Sequence, residues 1–158
     1  RLVQNAMGTV SCLMLYRLAR QCFNEKVART AGITASICGT FIFFEGEILA
    51  VALEVFLNLV LLRQLIIATN KRTPSYWITA GLFAGLAALT RPNILLFIAV
   101  FIVWFVLHCE YGQSSLRRRC VLSSFFLITL SLTILPVTLR NYILEPDLVL
   151  IRFPVHQW

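Results

Sequence analysis

The segment 81-GLFAGLAALTRPNILLF-97 predicts how the chain around it folds. Apolar residues fill both arms of this segment, and the four residues from Thr90 to Asn93 interrupt them. Proline lacks a backbone donor and disfavours helical backbone in the residue before it, so one helix is expected to end near Arg91 and another to follow Pro92. The segment therefore predicts two antiparallel apolar helices, joined by a tight turn that carries an arginine.

The composition indicates a membrane protein. Of the 158 residues, 59% are hydrophobic and 13% are charged, whereas a soluble domain usually has about 45–50% and about 25%. The mean hydropathy is +0.82, and several apolar runs approach the ~20 residues that cross a bilayer. The net charge of +7 is then best explained by membrane topology and lipid headgroups, and no basic, aromatic-lined groove indicates a nucleic-acid partner.

Six segments can cross a membrane, so the predicted fold class is all-α: a polytopic transmembrane helix bundle of about six spans. Short connections make sequence neighbours antiparallel neighbours in space. The bundle is predicted to occupy residues 1–138, and residues 139–158 are predicted to begin an external segment. The approximate bounds of the spans are 2–22, 28–44, 47–68, 75–91, 93–108 and 120–137.

The basic residues predict which loops face the cytoplasm. With strict alternation of the spans, ten basic residues fall on one side and four fall on the other. Cytoplasmic loops are the ones rich in lysine and arginine, so the loops near residues 17–29, 63–74 and 109–119 are predicted to be cytoplasmic. The opposite set consists of Arg1, Arg91, Arg140 and Arg152.

Polar residues within the predicted spans need partners, because polar groups facing lipid are unfavourable. Glu47, Glu54 and Asn58 share one face of the third span, and Gln4 lies with small residues on one face of the first. A glutamate at the depth of Glu54 costs about 2–3 kcal/mol unless it is paired or protonated. This face either hydrogen-bonds to other helices or lines a cavity.

A set of polar residues is predicted to meet at the outer ends of the spans. Guanidinium groups bind phosphate through two hydrogen bonds without losing charge, so arginines with amide neighbours suit an anionic, oxygen-rich ligand. The simpler alternative is that Arg91 and Arg140 extend to lipid headgroups. The set comprises Arg1, Gln4, Glu45, Glu47, Arg91, Asn93, Arg140 and Asn141.

The small residues and the cysteines predict packing, not chemistry. Gly81 and Gly85 form a GxxxG motif that allows close approach of a second helix. The five cysteines include no CxxC pair and have no metal-ligand spacing with either histidine, so no metal site is predicted.

Three motifs resemble segments of bacterial family 39 glycosyltransferases and keep the order and spacing that they have in that family. This family is allied to protein O-mannosyltransferases and to the aminoarabinose transferase of lipid A. The resemblance covers about residues 1–150 and implies a C-type glycosyltransferase fold. The motifs are 81-GLFAGLAALTRPNILLF-97, 16-YRLARQCFNEKVARTAG-32 and 139-LRNYIL-144.

This resemblance implies a multi-pass enzyme, expected in a bacterial inner membrane, that moves a sugar from a polyprenyl-phosphate carrier to an extracytoplasmic acceptor. The acceptor could be a glycan, a lipid or a protein, and the lipid-linked sugar is a donor substrate instead of a bound cofactor. The resemblance also implies that Arg91, Asn93, Arg140 and Asn141 lie beside the carrier phosphate and its sugar.

Two departures from the family pattern bear on catalysis. The family's general base is an acidic residue in the first external loop, which would lie upstream of Arg1, so no catalytic residue is assigned here. Beyond residue 144, Pro146 stands where the family usually has glycine. We therefore expect this chain to be a fragment that is inactive alone.

Two other functions are alternatives to a glycosyltransferase. One is a transporter or channel-like bundle, with the Glu47–Glu54–Asn58 face lining its pathway, and the other is a non-catalytic membrane scaffold.

Overall fold

The computed structural model describes residues 2–37, 49–108 and 116–144, and these residues form six α-helices. No strand occurs within those three ranges. The all-α prediction is confirmed for this part of the chain. The helices are α1 (Leu2–Cys22), α2 (Glu25–Ile37), α3 (Leu49–Lys71), α4 (Pro74–Thr90), α5 (Ile94–His108) and α6 (Leu116–Leu144).

Two of these helices are long and apolar enough to cross a membrane, within Val51–Lys71 and Leu116–Ile143. The shorter helix Ile94–Leu107 is also apolar. The six-span count stays a prediction, although each predicted span overlaps one helix of the described residues. The second span was predicted to extend to residue 44, and residues 38–48 lie outside the described part of the chain.

The chain divides into two compact units, residues 1–67 and 68–158, with the boundary inside α3. In the first unit, α1 and α2 pack as a hairpin. Asn24 caps α2, because its side-chain oxygen accepts a hydrogen bond from the backbone N–H of Val27 at 3.0 Å. The hairpin is close at Gly32, where a Cβ would lie 3.3 Å from the Cβ of Tyr16.

In the second unit, α4 and α6 run parallel and pack over much of their length. Gly81 lies against Phe126 and Thr129, and Gly85 lies against Thr133 further along both helices. The predicted role of the GxxxG motif in helix packing is thus confirmed. Thr129 and Thr133 donate their hydroxyl protons to carbonyls one turn earlier in α6, so both of these hydroxyl groups are paired at the interface.

Helix α5 runs antiparallel to its two neighbours and completes the second unit. Its Phe105 ring lies 4.4 Å, between centroids, from Trp77 near the start of α4. The same tryptophan meets Phe126, in the first half of α6, edge to face at 6.2 Å. All three rings are buried. The aromatic cluster therefore fixes the start of α4, the end of α5 and the first half of α6 at one end of the unit.

Candidate functional site

The turn between α4 and α5 carries the arginine that the sequence singled out. Helix α4 ends at Thr90, and Arg91 is extended, with φ −146° and ψ 119°. Its backbone N–H still donates to the carbonyl of Ala87 at 3.0 Å. The extended conformation follows from Pro92, whose ring disfavours helical backbone in the preceding residue.

Arg91 and Asn93 are both exposed at this turn. The carbonyl of Asn93 accepts the backbone N–H of Leu96 at 3.2 Å, within the first turn of α5. Their side chains therefore extend from a rigid, hydrogen-bonded corner, and the preorganised backbone reduces the entropy lost when these side chains bind a ligand.

Arg140 and Asn141 lie near the end of α6. Arg140 is exposed, whereas Asn141 is half-buried. The amide nitrogen of Asn141 is buried and has no hydrogen-bond partner within the described residues. An unpaired buried donor costs about 1–3 kcal/mol, so this nitrogen favours the approach of an oxygen acceptor.

The parallel packing of α4 and α6 brings these two pairs of residues to the same end of the unit. The contacts of Gly81 and Gly85 set the register between the helices. Extending this register puts Arg91 level with the turn of α6 that carries Arg140 and Asn141. The register therefore predicts that four polar residues from two distant parts of the sequence lie at one level, at the end of the unit opposite the aromatic cluster.

The other predicted site residues belong to the first unit. Glu54 and Asn58 are half-buried, four residues apart on α3, which is one helical turn. Gln4 lies in α1, and no side-chain position is described for it. Arg1, Glu45 and Glu47 lie outside the described residues. The structure therefore brings Glu54 and Asn58 together and leaves the wider outer-face set as a prediction.

Sequence reasoning missed a second group of polar atoms, at the aromatic end of the second unit. Trp77, Ser123 and Arg119 each have a buried side-chain atom without a hydrogen-bond partner in the described ranges. Trp77 lies in an apolar run that predicts ordinary core, and Arg119 belongs to the basic loop that predicts membrane topology. The i, i+4 spacing of Arg119 and Ser123 was the signal that could have linked them.

Among the described residues, no group of three histidine, cysteine, aspartate or glutamate side chains could hold a metal ion. Of the described cysteines, Cys12, Cys22 and Cys120 do not form disulfide bonds. Arg91 and Asn93, at the turn between α4 and α5, provide a guanidinium group and an amide, which can bind and stabilise negative oxygen atoms.

Comparison with known proteins identifies the family. Residues 1–139 match the model of a family described as dolichyl-phosphate-mannose-protein mannosyltransferase. This match includes Arg91 and Asn93 and ends just before Arg140. No curated protein and no solved structure matches the chain. Since the match covers most of the sequence, the chain belongs to the dolichyl-phosphate-mannose-protein mannosyltransferase family, whose members are membrane glycosyltransferases.

Proposed function

We propose that this chain forms part of the membrane domain of a glycosyltransferase that takes a sugar from a polyprenyl-phosphate carrier. The sugar is transferred to a glycan, lipid or protein acceptor outside the cytoplasm. Arg91, Asn93, Arg140 and Asn141 bind the carrier phosphate and the adjacent sugar.

The observation that carries this proposal is the parallel packing of α4 and α6 in the second unit. This packing supports the proposal because, when the register is extended, Arg91 and Arg140, which are both exposed, are expected to lie at the same level. Two guanidinium groups at one level offer several charged donors to a phosphate that lies between them. The unpaired amide nitrogen of Asn141 supplies a neutral donor for a further phosphate or sugar oxygen.

The chemistry of transfer gives these cations a role beyond binding. When the bond between the sugar and the carrier breaks, negative charge grows on the phosphate that leaves. Donors held in place before the reaction stabilise this charge more than they stabilise the bound donor, and that difference lowers the barrier. Arg91, on the turn set by Pro92, is held in this way by its backbone.

The test is transfer activity in membranes that contain the complete enzyme of which this chain forms part, with radiolabelled dolichyl-phosphate mannose as donor. Arg91→Ala and Arg140→Ala are each expected to lower the transfer rate by about a hundredfold, because each removes a charged donor from the leaving phosphate. Arg91→Lys keeps the positive charge but loses the planar pair of donors. Its transfer rate is therefore expected to lie between that of the wild type and that of Arg91→Ala.

The matched control is Arg117→Ala, which removes an exposed arginine at the opposite end of α6 and is expected to leave transfer unchanged. Full turnover in both Arg91→Ala and Arg140→Ala, at normal protein levels in the membrane, would contradict the assignment of the phosphate site.

The proposed location is an inner membrane, with the arginine-rich start of α6 towards the cytoplasm. The Arg91 end of the second unit then faces the compartment in which the acceptor lies. Arg117 and Arg118, both exposed at the start of α6, support this orientation through the charge bias of cytoplasmic loops.

A further inference from the structure

The aromatic end of the second unit contains buried donors that the transfer reaction does not use. Within the described residues, four buried side-chain polar atoms have no hydrogen-bond partner. One of the four is the Asn141 amide. The other three are Nε1 of Trp77, Oγ of Ser123 and Nε of Arg119.

The residues that carry these three atoms belong to neighbouring contacts of α4, α5 and α6. Arg119 donates from a terminal nitrogen to the carbonyl of Val106 at 2.9 Å, near the end of α5. Trp77 packs on Phe105, the residue before Val106, at 4.4 Å between ring centroids. Ser123 follows Arg119 by one helical turn on the same side of α6.

Burial makes the missing partners significant. Trp77 is fully buried, and Ser123 is 4% exposed, so bulk water does not solvate their polar atoms. The nitrogens of tryptophan and arginine can only donate hydrogen bonds, and the serine hydroxyl can also donate. An acceptor can therefore pair with any of the three atoms, and beside a guanidinium group the favoured acceptor is an anionic oxygen.

The surroundings indicate which anion reaches this place. Arg117 and Arg118 are exposed beside Arg119, at the end of a helix long and apolar enough to cross a membrane. Lipid headgroups lie at this level, and clusters of basic residues next to a span attract anionic lipids. The exposed apolar face of α5, with Val103 and Trp104, offers a surface along which acyl chains can lie.

We propose that this corner, formed by Arg119, Ser123 and Trp77, binds the phosphate of an anionic phospholipid from the leaflet that faces the start of α6. Arg119 bridges the lipid and the end of α5, because one of its nitrogens holds the Val106 carbonyl and its Nε turns to the phosphate. The lipid thus joins α5 to α6 at the end of the unit opposite the carrier arginines.

The experiment uses purified protein in a neutral detergent, with thermal unfolding measured as short-chain phosphatidylglycerol is added. The lipid is expected to raise the midpoint of the wild-type protein. Arg119→Lys keeps a cation that can reach the Val106 carbonyl but loses Nε, and it is expected to need about tenfold more lipid for the same rise. Ser123→Ala leaves the Arg119 contact intact and is expected to weaken the response in the same direction.

Arg118→Lys is the matched control, since it changes an exposed arginine one residue away, and it should respond as the wild type does. An equal response of Arg119→Lys and the wild type would overturn the proposal. So would an equal rise with short-chain diacylglycerol, which has no phosphate, or with inorganic phosphate alone at the same concentration, which would assign the site to a free anion.

Discussion

Gly81 and Gly85 show how single residues set the distance between two helices. A Cβ on Gly81 would lie 2.5 Å from the carbonyl oxygen of Phe126, and one on Gly85 would lie 2.6 Å from the Cβ of Thr133. Neither contact can be relieved by rotating a side chain, because backbone or Cβ atoms are involved. The helices must separate to admit even a methyl group.

Gly85→Ala is therefore expected to lower the free energy of unfolding by about 1–3 kcal/mol, the usual range for forcing extra atoms into a packed interface. Thermal unfolding in detergent measures this change. Leu82→Ala, at an exposed position of the same helix, serves as the control and should have a much smaller effect. A Gly85→Ala protein as stable as the wild type would mean that α4 and α6 are not in close contact.

Glu25 is the acceptor at the centre of a small polar cluster beside the turn between α1 and α2. The Tyr16 hydroxyl donates to it at 2.7 Å, Arg20 pairs with it at 2.9 Å and Arg29 at 3.2 Å. The hydrogen bond from Tyr16 is the main cause that lowers the pKa of Glu25, and the two arginines add to this effect.

A lowered pKa means that the charged form stabilises the fold, so this contribution is present at neutral pH and is lost as the pH falls through the lowered pKa. Glu25→Gln, which keeps an acceptor for Tyr16 but has no charge, is expected to be less stable than the wild type at neutral pH. The difference between the two midpoints should shrink in acid. A difference that stays constant down to pH 3 would contradict this account.

The sequence identified Arg91 and Arg140 because an arginine beside an apolar run is conspicuous. It did not identify the unpaired atoms of Asn141, Ser123 and Trp77. Whether a polar atom is buried without a partner depends on which helices surround it, and that information is absent from local periodicity. The carrier-site residues thus remain predictions from sequence and register.

At the scale of elements, the turn between α3 and α4 holds an arginine in a backbone conformation that disfavours it. Arg72 has a positive φ of 50°, a conformation that glycine adopts more readily than other residues. Its backbone N–H donates to the carbonyl of Ala68 at 2.9 Å, and Pro74 then begins α4. The strain at Arg72 allows α4 to start three residues after α3 ends.

Two substitutions at this position separate the backbone from the side chain. Arg72→Ala and Arg72→Gly remove the same side-chain interactions, but only glycine relieves the strain at positive φ. Arg72→Gly is expected to be more stable than Arg72→Ala by about 1 kcal/mol. Thermal unfolding of the two variants measures this, and equal midpoints would mean that the turn is not strained.

The helix bounds show what hydropathy can predict. Helix α4 ends at Thr90, one residue before the end expected near Arg91. This end could be predicted because Pro92 restricts the backbone of the residue immediately before it. The last span was predicted over 120–137, but α6 runs from Leu116 to Leu144. A span predicted from hydropathy ends at the first arginines. A helix can continue through charged residues, because its backbone hydrogen bonds do not depend on them and their side chains can extend to the headgroups.

At the scale of the whole molecule, the predicted orientation can be tested with the chain's own thiols. Cys22 and Cys120 are exposed and belong to the predicted cytoplasmic side. In a protein whose other cysteines are replaced by serine, a membrane-impermeant maleimide should label both in inverted vesicles and neither in right-side-out vesicles.

The control for orientation is Tyr142→Cys, an exposed position near the other end of α6, in a protein that lacks Cys22 and Cys120. This thiol should show the opposite pattern of labelling. Labelling of Cys22 and Cys120 from opposite sides would contradict the alternating spans.

The parallel pairing of α4 with α6 also has a consequence for biosynthesis. The two helices can be parallel neighbours only because α5 crosses back between them in the sequence, so α4 leaves the ribosome well before its main partner does. Until α6 has been made, the glycine face of α4 has no partner from its own unit, and other helices in the translocation machinery can contact it. Assembly of this unit is therefore a late event. A ribosome that stalls within α5 releases a chain in which α4 has not yet met α6, its main packing partner.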